Sequence, residues 1–317
     1  MTDTQNEVFK TPVNKIRLFE HGAPGSQNLK LTRKYYTEDM PDGRVKHIVQ
    51  NITDPDIVPY IPDGIGNSTD RQRIPAVLII PGGAFRRLVY NFEGEDVAKW
   101  LNSMGIAAFV LECRLPSDEH DNAEDVPLID AMRAMRVIRG RAQEFGIDEA
   151  KIGVMGFSAG GFMAALLSTA YESDVYADYK YKDEYDKLSV RPDFAVCSYP
   201  VISIDDCIEA GKRYMSEEQV LERISDSKAK ILHKYNPDKL VRPDMPPVFI
   251  CETDDDRTTL SENSVGFYMA ARKAGVSAEL HIFRTGGHGY GCGDDFAQTG
   301  EWKVLFTKWI KSIGIIS

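Results

Sequence analysis

A serine hydroxyl attacks a carbonyl only when a base takes its proton. The residues to weigh first are therefore a serine on a sharp turn and a histidine able to reach it. Gly156-Phe157-Ser158-Ala159-Gly160 matches G-x-S-x-G. The apolar stretch Ile152–Met155 reads as a strand entering the motif, and the small-residue stretch Gly160–Leu167 as a helix leaving it. That strand–turn–helix presents a nucleophile at an elbow. The glycines permit close approach of strand and helix, and the helix N-terminus brings free N–H groups and positive dipole to the reacting oxygen. Ser158 is the expected nucleophile.

Of the six histidines, His288 is the expected base. It lies in Thr285-Gly286-Gly287-His288-Gly289-Tyr290-Gly291, between the last expected strand and the last helix, where glycines let the backbone bend back toward Ser158. His21, His47 and His120 precede the serine, against the nucleophile–acid–histidine order of such folds. His281 falls in a strand pattern and His233 in a charged stretch. The acid should follow the strand Val248–Cys251, where Asp254, Asp255 and Asp256 stand in a row. One of them would orient the imidazole and stabilise its charged form; spacing leaves the three open. A developing oxyanion needs two backbone donors. One is the amide of Ala159. The other is Gly83 or Ala84, in the loop Pro81-Gly82-Gly83-Ala84-Phe85.

These residues need a scaffold, and from Ile74 onward the chain reads strand, turn, helix, repeatedly. Strands are expected at Ala76–Ile80, Ile106–Leu111, Lys151–Phe157, Phe194–Ser198, Val248–Cys251 and Ala278–Phe283. Helices are expected at Glu93–Ser103, Pro127–Phe145, Gly160–Thr169, Ser261–Ala274 (ended by Gly275) and Glu301–Ile313, from apolar residues at steps of three and four. Such alternation means an α/β chain with a mostly parallel sheet covered by helices on both faces. Residues 1–75 read as lead-in strands of the same domain, among them His47–Gln50 and Ile57–Ile61, and residues 76–317 as its core. Excursions at 172–191 and 205–245 interrupt the core; segments of this length are expected to be functional loops or a small cap. With Phe85–Tyr90 they are expected to wall the pocket.

The formal net charge of −10 at pH 7 would repel nucleic acid and anionic membranes, so neither is an expected partner. The polar start MTDTQNEVFK lacks the apolar segment of a leader, and no run approaches a membrane span. A cytoplasmic chain with its five cysteines reduced is the expectation. No cofactor is expected. Histidines and cysteines show no metal-ligand spacing, and Asp254–Asp256 lacks the alternating ligands of a calcium loop. A homo-oligomer is left open.

Several further motifs occur in one order. They are Gly22-Ala23-Pro24-Gly25, the Pro81–Phe85 loop, Glu93-Gly94-Glu95, Trp100-Leu101-Asn102-Ser103, Ile106–Leu111, Asp130-Ala131-Met132-Arg133, Gly156–Gly161, Arg191-Pro192-Asp193-Phe194, Tyr199-Pro200-Val201-Ile202-Ser203, Glu262-Asn263-Ser264, His281-Ile282-Phe283 and Gly286–Gly289. From Ile16 to the C-terminus the chain thereby resembles the acetyl-esterase/xylan-esterase-like branch of the α/β-hydrolase superfamily. The resemblance implies an α/β-hydrolase fold and a serine esterase acting on short, acetyl-type esters of sugars or xylo-oligosaccharides. It places the acid on Asp256, in an Asp-x-x-Val-Pro register before Glu262-Asn263-Ser264. The chain departs from the pattern at Thr259-Leu260, at Cys251 for a histidine, at Ala84 for a third glycine and at Cys113 for a tyrosine. Alternatives are a feruloyl or general carboxylic ester or a peptide amide as substrate. A different class is a hydrolase fold that binds without turnover.

Overall fold

The computed structural model describes residues 9, 12–65, 73–213, 216, 218–220, 227–293 and 298–317. In chain order the strands are Ile16–Arg17 (β1), Lys34–Asp39 (β2), Val45–Gln50 (β3), Asp56–Tyr60 (β4), Ile74–Ile80 (β5), Leu88–Val89 (β6), Ala107–Glu112 (β7), Ile147–Phe157 (β8), Ala195–Ser198 (β9), Val248–Thr253 (β10) and Ala278–Phe283 (β11). The helices are Asp96–Ser103 (α1), Val126–Gly140 (α2), Ala142–Phe145 (α3), Ala159–Thr169 (α4), Ile204–Lys212 (α5), Ser227–Lys234 (α6), Ser261–Lys273 (α7) and Glu301–Ser312 (α8).

Eight strands form one sheet in the order β1-β4-β7-β5-β8-β9-β10-β11. From β7 to β11 every neighbouring pair is parallel, while β4 and β1 extend one edge antiparallel. The central strands are continuous apolar runs because both faces are covered; Ala76 to Ile79 and Ala107 to Leu111 have no exposed surface. Helix α4 packs on β8 and β9, α1 on β7, and α7 on β10 and β11. β2, β3 and β6 form a separate three-stranded sheet. The chain passes from β5 to β7 on one side and to β8 on the other. This reversal opens a crevice at the carboxyl ends of β5 and β8, where α/β sheets bind their ligands. No helix among the described residues is long and apolar enough to cross a membrane.

The single helix expected over Pro127–Phe145 is divided. Arg141 leaves helical geometry at φ −103°, ψ 17°, and the Tyr185 ring fills the space beside Gly140, 2.3 Å from where a Cβ would stand. The helix expected from Glu93 starts as a π turn over Asn91–Glu95. Of the excursions, 172–191 packs along α2. Arg133 pairs with Asp183 and Asp186, and Tyr176 and Tyr179 lie against Phe19. The other holds α5 and α6, with residues 214, 215, 217 and 221–226 outside the described ones. Its Lys234 Nζ donates to Asp125 Oδ2 at 2.7 Å, which fastens it to the segment before α2.

Among the described residues, the Arg114–Asp130 ion pair is wholly enclosed. Arg114 and Asp130 have no exposed side-chain surface and meet at 2.6 Å. The same carboxylate accepts the Arg114 backbone N–H at 2.8 Å, and the guanidinium donates to Ser26 Oγ at 2.9 Å. The pair ties the end of β7 to α2 and to the lead-in. Asp130→Ala would strand a buried guanidinium, and the unfolding free energy should fall by about 3–5 kcal/mol. Urea denaturation checks it; a loss of about 0–1 kcal/mol, the range of an exposed pair, would contradict this reading.

Candidate active site

Ser158 follows β8 and stands at the N-cap of α4 with φ 54°, ψ −118°, a conformation that costs a non-glycine residue about 1–3 kcal/mol. The surrounding backbone holds it there. Its amide donates to the Ser198 carbonyl at 3.0 Å, and its carbonyl accepts from the Phe162 amide at 3.0 Å. The flanking glycines are steric necessities. A Cβ on Gly156 would stand 1.9 Å from the Gly160 carbonyl oxygen, and one on Gly160 at 1.9 Å from that of Ile80.

His288 lies in the loop after β11, where Gly286, Gly287, Gly289 and Gly291 all have positive φ. Its Nε2 stands 2.9 Å from Ser158 Oγ, and its Nδ1 2.6 Å from Asp256 Oδ2. The three acids after β10 separate by geometry. Asp254 and Asp255 are exposed, whereas Asp256 is buried. Asp255 Oδ1 accepts the amides of Gly286 and Gly287 at 2.9 and 2.8 Å, so it shapes the loop that carries the histidine. Asp256 faces the ring itself. Its Oδ1 accepts the amides of Thr258 and Thr259 at 2.7 and 2.9 Å. The Thr259 hydroxyl stands 3.0 Å from its Oδ2. Burial alone would raise this carboxyl. The bond and charge of His288, with the two amides, outweigh it and hold Asp256 below the ordinary carboxylate value.

The loop after β5 runs beside the serine, because Ile80 is in register with Gly156. A Cβ on Gly82 would fall 2.9 Å from Ser158 Cβ. Gly83, Ala84 and Phe85 all have positive φ. The Gly82 amide donates to Glu93 Oε2 at 2.8 Å, which leaves Gly83 and Ala84 as the loop's candidate donors beside Ala159.

Glu93 and Tyr199 stand in two of the motifs that carry the resemblance, without a site role expected of either. Glu93 is 4% exposed and Tyr199 fully buried. Tyr199 OH donates to Glu93 Oε1 at 2.9 Å and accepts from the Gly291 amide at 3.1 Å. Its ring meets His288 edge-on at 5.0 Å. Burial pushes the Glu93 carboxyl up, against the pull of His288, Tyr199 and the Gly82 amide. The sequence places Glu93 at the start of an expected helix, and the adjoining Gly94 is pressed against Val110.

An apolar cleft adjoins Gly82 and Ala159. Phe85 and Leu88 wall it as expected, joined by Leu115, Pro116, Pro127 and Met163, which the sequence did not single out. No residue of 172–191 lines this cleft.

Residues 65–270, more than half the chain, match the BD-FAE family model. An acetylxylan esterase of Xylanibacter ruminicola is 31% identical over 75% of this chain and 45% of its own length. Endo-1,4-beta-xylanase B of Butyrivibrio fibrisolvens is 31% identical over 71% of this chain and 34% of its own. The chain thus spans less than half the length of these two relatives. Among solved structures, the acetyl ester-xyloside bifunctional hydrolase from Caldicellulosiruptor lactoaceticus superposes with a TM-score of 0.68 at 37% identity, over 83% of this chain and 90% of that one. With a sheet of this order and an elbow at the end of β8, the chain has the α/β-hydrolase fold and belongs to the BD-FAE family.

Proposed function

We propose that the chain is a serine esterase that hydrolyses short, acetyl-type esters, with acetylated xylo-oligosaccharides as the substrate class. The observation that carries the reading is the hydrogen-bond chain Ser158 Oγ–His288 Nε2–His288 Nδ1–Asp256 Oδ2, with steps of 2.9 and 2.6 Å, at the carboxyl ends of the strands. His288 Nε2 takes the hydroxyl proton as Ser158 Oγ bonds to the ester carbonyl carbon. Asp256 holds the Nδ1 proton and stabilises the imidazolium. The amides of Ala159 and of Gly83 or Ala84 receive the oxyanion. As the tetrahedral species collapses, the alkoxide leaves with the proton from His288. Water, deprotonated by the same imidazole, then bonds to the acyl carbon; the acyl–Oγ bond breaks, the acid leaves, and His288 returns the proton to Ser158 Oγ. The names of the two acetyl-ester relatives support the acyl class, and so does the narrow cleft beside Ala159.

A substrate panel tests it: p-nitrophenyl acetate, butyrate and octanoate, acetylated xylo-oligosaccharides and methyl ferulate. Acetate should lead, with kcat/KM at least about tenfold below it by octanoate, since a filled apolar pocket discriminates by about that much per misfit methylene or two. Preference for the ferulate would turn the reading to the aromatic acyl class. Failure of a fluorophosphonate to label the folded chain would remove the hydrolase reading altogether.

A further inference from the structure

The loops that flank Ser158 arrive from distant strands. The Gly82–Phe85 loop follows β5 and carries the proposed oxyanion donors; the Gly286–Gly291 loop follows β11 and carries His288. Each is built on positive-φ residues, seven between them: Gly83, Ala84 and Phe85 in the first, and Gly286, Gly287, Gly289 and Gly291 in the second. Glycine-rich backbone is permissive, so neither loop by itself sets the distance from its working atoms to Ser158 Oγ.

A polar bridge joins them. The Gly82 amide donates to one oxygen of Glu93 at 2.8 Å, the Tyr199 hydroxyl donates to the other at 2.9 Å, and the Gly291 amide donates to that hydroxyl at 3.1 Å. Glu93 comes from the turn before α1 and Tyr199 from the end of β9, so four separate segments meet in three bonds. The fit is close at both ends. A Cβ on Gly82 would lie 2.8 Å from Glu93 Oε2, and one on Gly291 would lie 2.5 Å from the Phe92 carbonyl oxygen. A buried carboxyl must have its oxygens satisfied. Here one oxygen answers to the oxyanion side, and the other, through Tyr199, to the side of the base.

We propose that Glu93 and Tyr199 act together as positioning residues that set the span between the oxyanion-binding amides and the His288 imidazole. The inference rests on the esterase reading above. Neither residue touches the reacting atoms. Both act through the loops that do, so their loss should misplace groups in the transition state more than it weakens capture of substrate. Displacements of about 1 Å in such groups cost up to about 100-fold in rate.

Tyr199→Phe is the clean probe, because it keeps the ring against His288 and removes only the hydroxyl. With p-nitrophenyl acetate, kcat should fall about 10- to 100-fold while KM stays within about threefold. Glu93→Gln should behave alike, and the double variant should be no worse than about threefold below the worse single one, because both act in one chain of bonds. A folded Tyr199→Phe with wild-type kcat and only a lowered Tm would overturn the proposal, whether or not Glu93→Gln folds. So would losses that multiply in the double variant. Fluorophosphonate labelling of the wild-type chain separates the two readings. No adduct on wild-type Ser158 removes the esterase reading and this inference with it; an adduct formed equally fast in wild type and Tyr199→Phe removes this inference alone.

Discussion

Ser158→Ala is expected to lower kcat on the order of 10⁵- to 10⁶-fold, the scale seen when the nucleophile of a serine hydrolase is deleted. The size follows from the proposed chemistry. Without Oγ there is no acyl-enzyme, and what remains is the help that the amides of Ala159 and Gly83 or Ala84 give to attack by water. Folding should be nearly untouched. The strain at φ 54° belongs to the backbone and is shared by alanine, and the backbone bonds of residue 158 to Ser198, Phe162 and Val201 persist. Only the bond to His288 Nε2 is lost, worth about 1 kcal/mol. Steady-state turnover of p-nitrophenyl acetate, read beside a melting curve, checks both halves. Turnover within about tenfold of wild type in a fully folded variant would remove Ser158 from the mechanism. His288→Ala should fall nearly as far, and Ser158→Ala/His288→Ala no further than the worse single variant, because the pair works as one unit.

Much of this was legible in the chain for reasons that can be named. The central strands are visible because two-sided burial leaves them no polar face, as in Ala76–Ile80 and Ala107–Leu111. The elbow is visible because Gly156 and Gly160 have no steric substitute. His288 is visible because its loop needs positive-φ glycines that would be wasteful elsewhere. The missed features depend on partners remote in sequence. The break at Arg141 answers to a Tyr185 ring 45 positions beyond Gly140. The length of the 172–191 excursion suggests a pocket wall, whereas its Tyr176 and Tyr179 meet Phe19 of the lead-in, tilted and edge-on. Glu93 is a glutamate at the head of an amphipathic stretch, where solvent is the ordinary neighbour; its burial is decided by Gly82 and Tyr199, which approach from elsewhere.

The acid is the instructive case, because three identical residues in a row carry no internal signal. The resemblance places it on Asp256 by register, and tertiary geometry gives Asp255 the amides of Gly286 and Gly287 instead of the imidazole. Asp256→Asn is therefore expected to lower kcat/KM about 10⁴-fold, because an amide can hold the imidazole in the wrong tautomer and cannot stabilise its charge. Asp255→Asn should stay within about tenfold. Asparagine keeps an oxygen for the amides of Gly286 and Gly287, so the His288 loop retains its shape at the expense of two charge-assisted bonds. The reverse ranking would move the acid to Asp255. Stability gives a second, independent reading of the same assignment. Asp256 sits below its ordinary value of 3.8 in the folded chain. A carboxyl held below its unfolded value adds stability above that value and loses it as pH falls through the folded one. The stability that wild type holds over Asp256→Asn should thus be complete above pH 3.8 and shrink on further acidification. Urea midpoints of the two proteins compared from pH 6 downward measure this, and a gap that widened in acid would mean that Asp256 is held above its ordinary value by burial, with His288 too weak a partner to serve as the base it is proposed to orient.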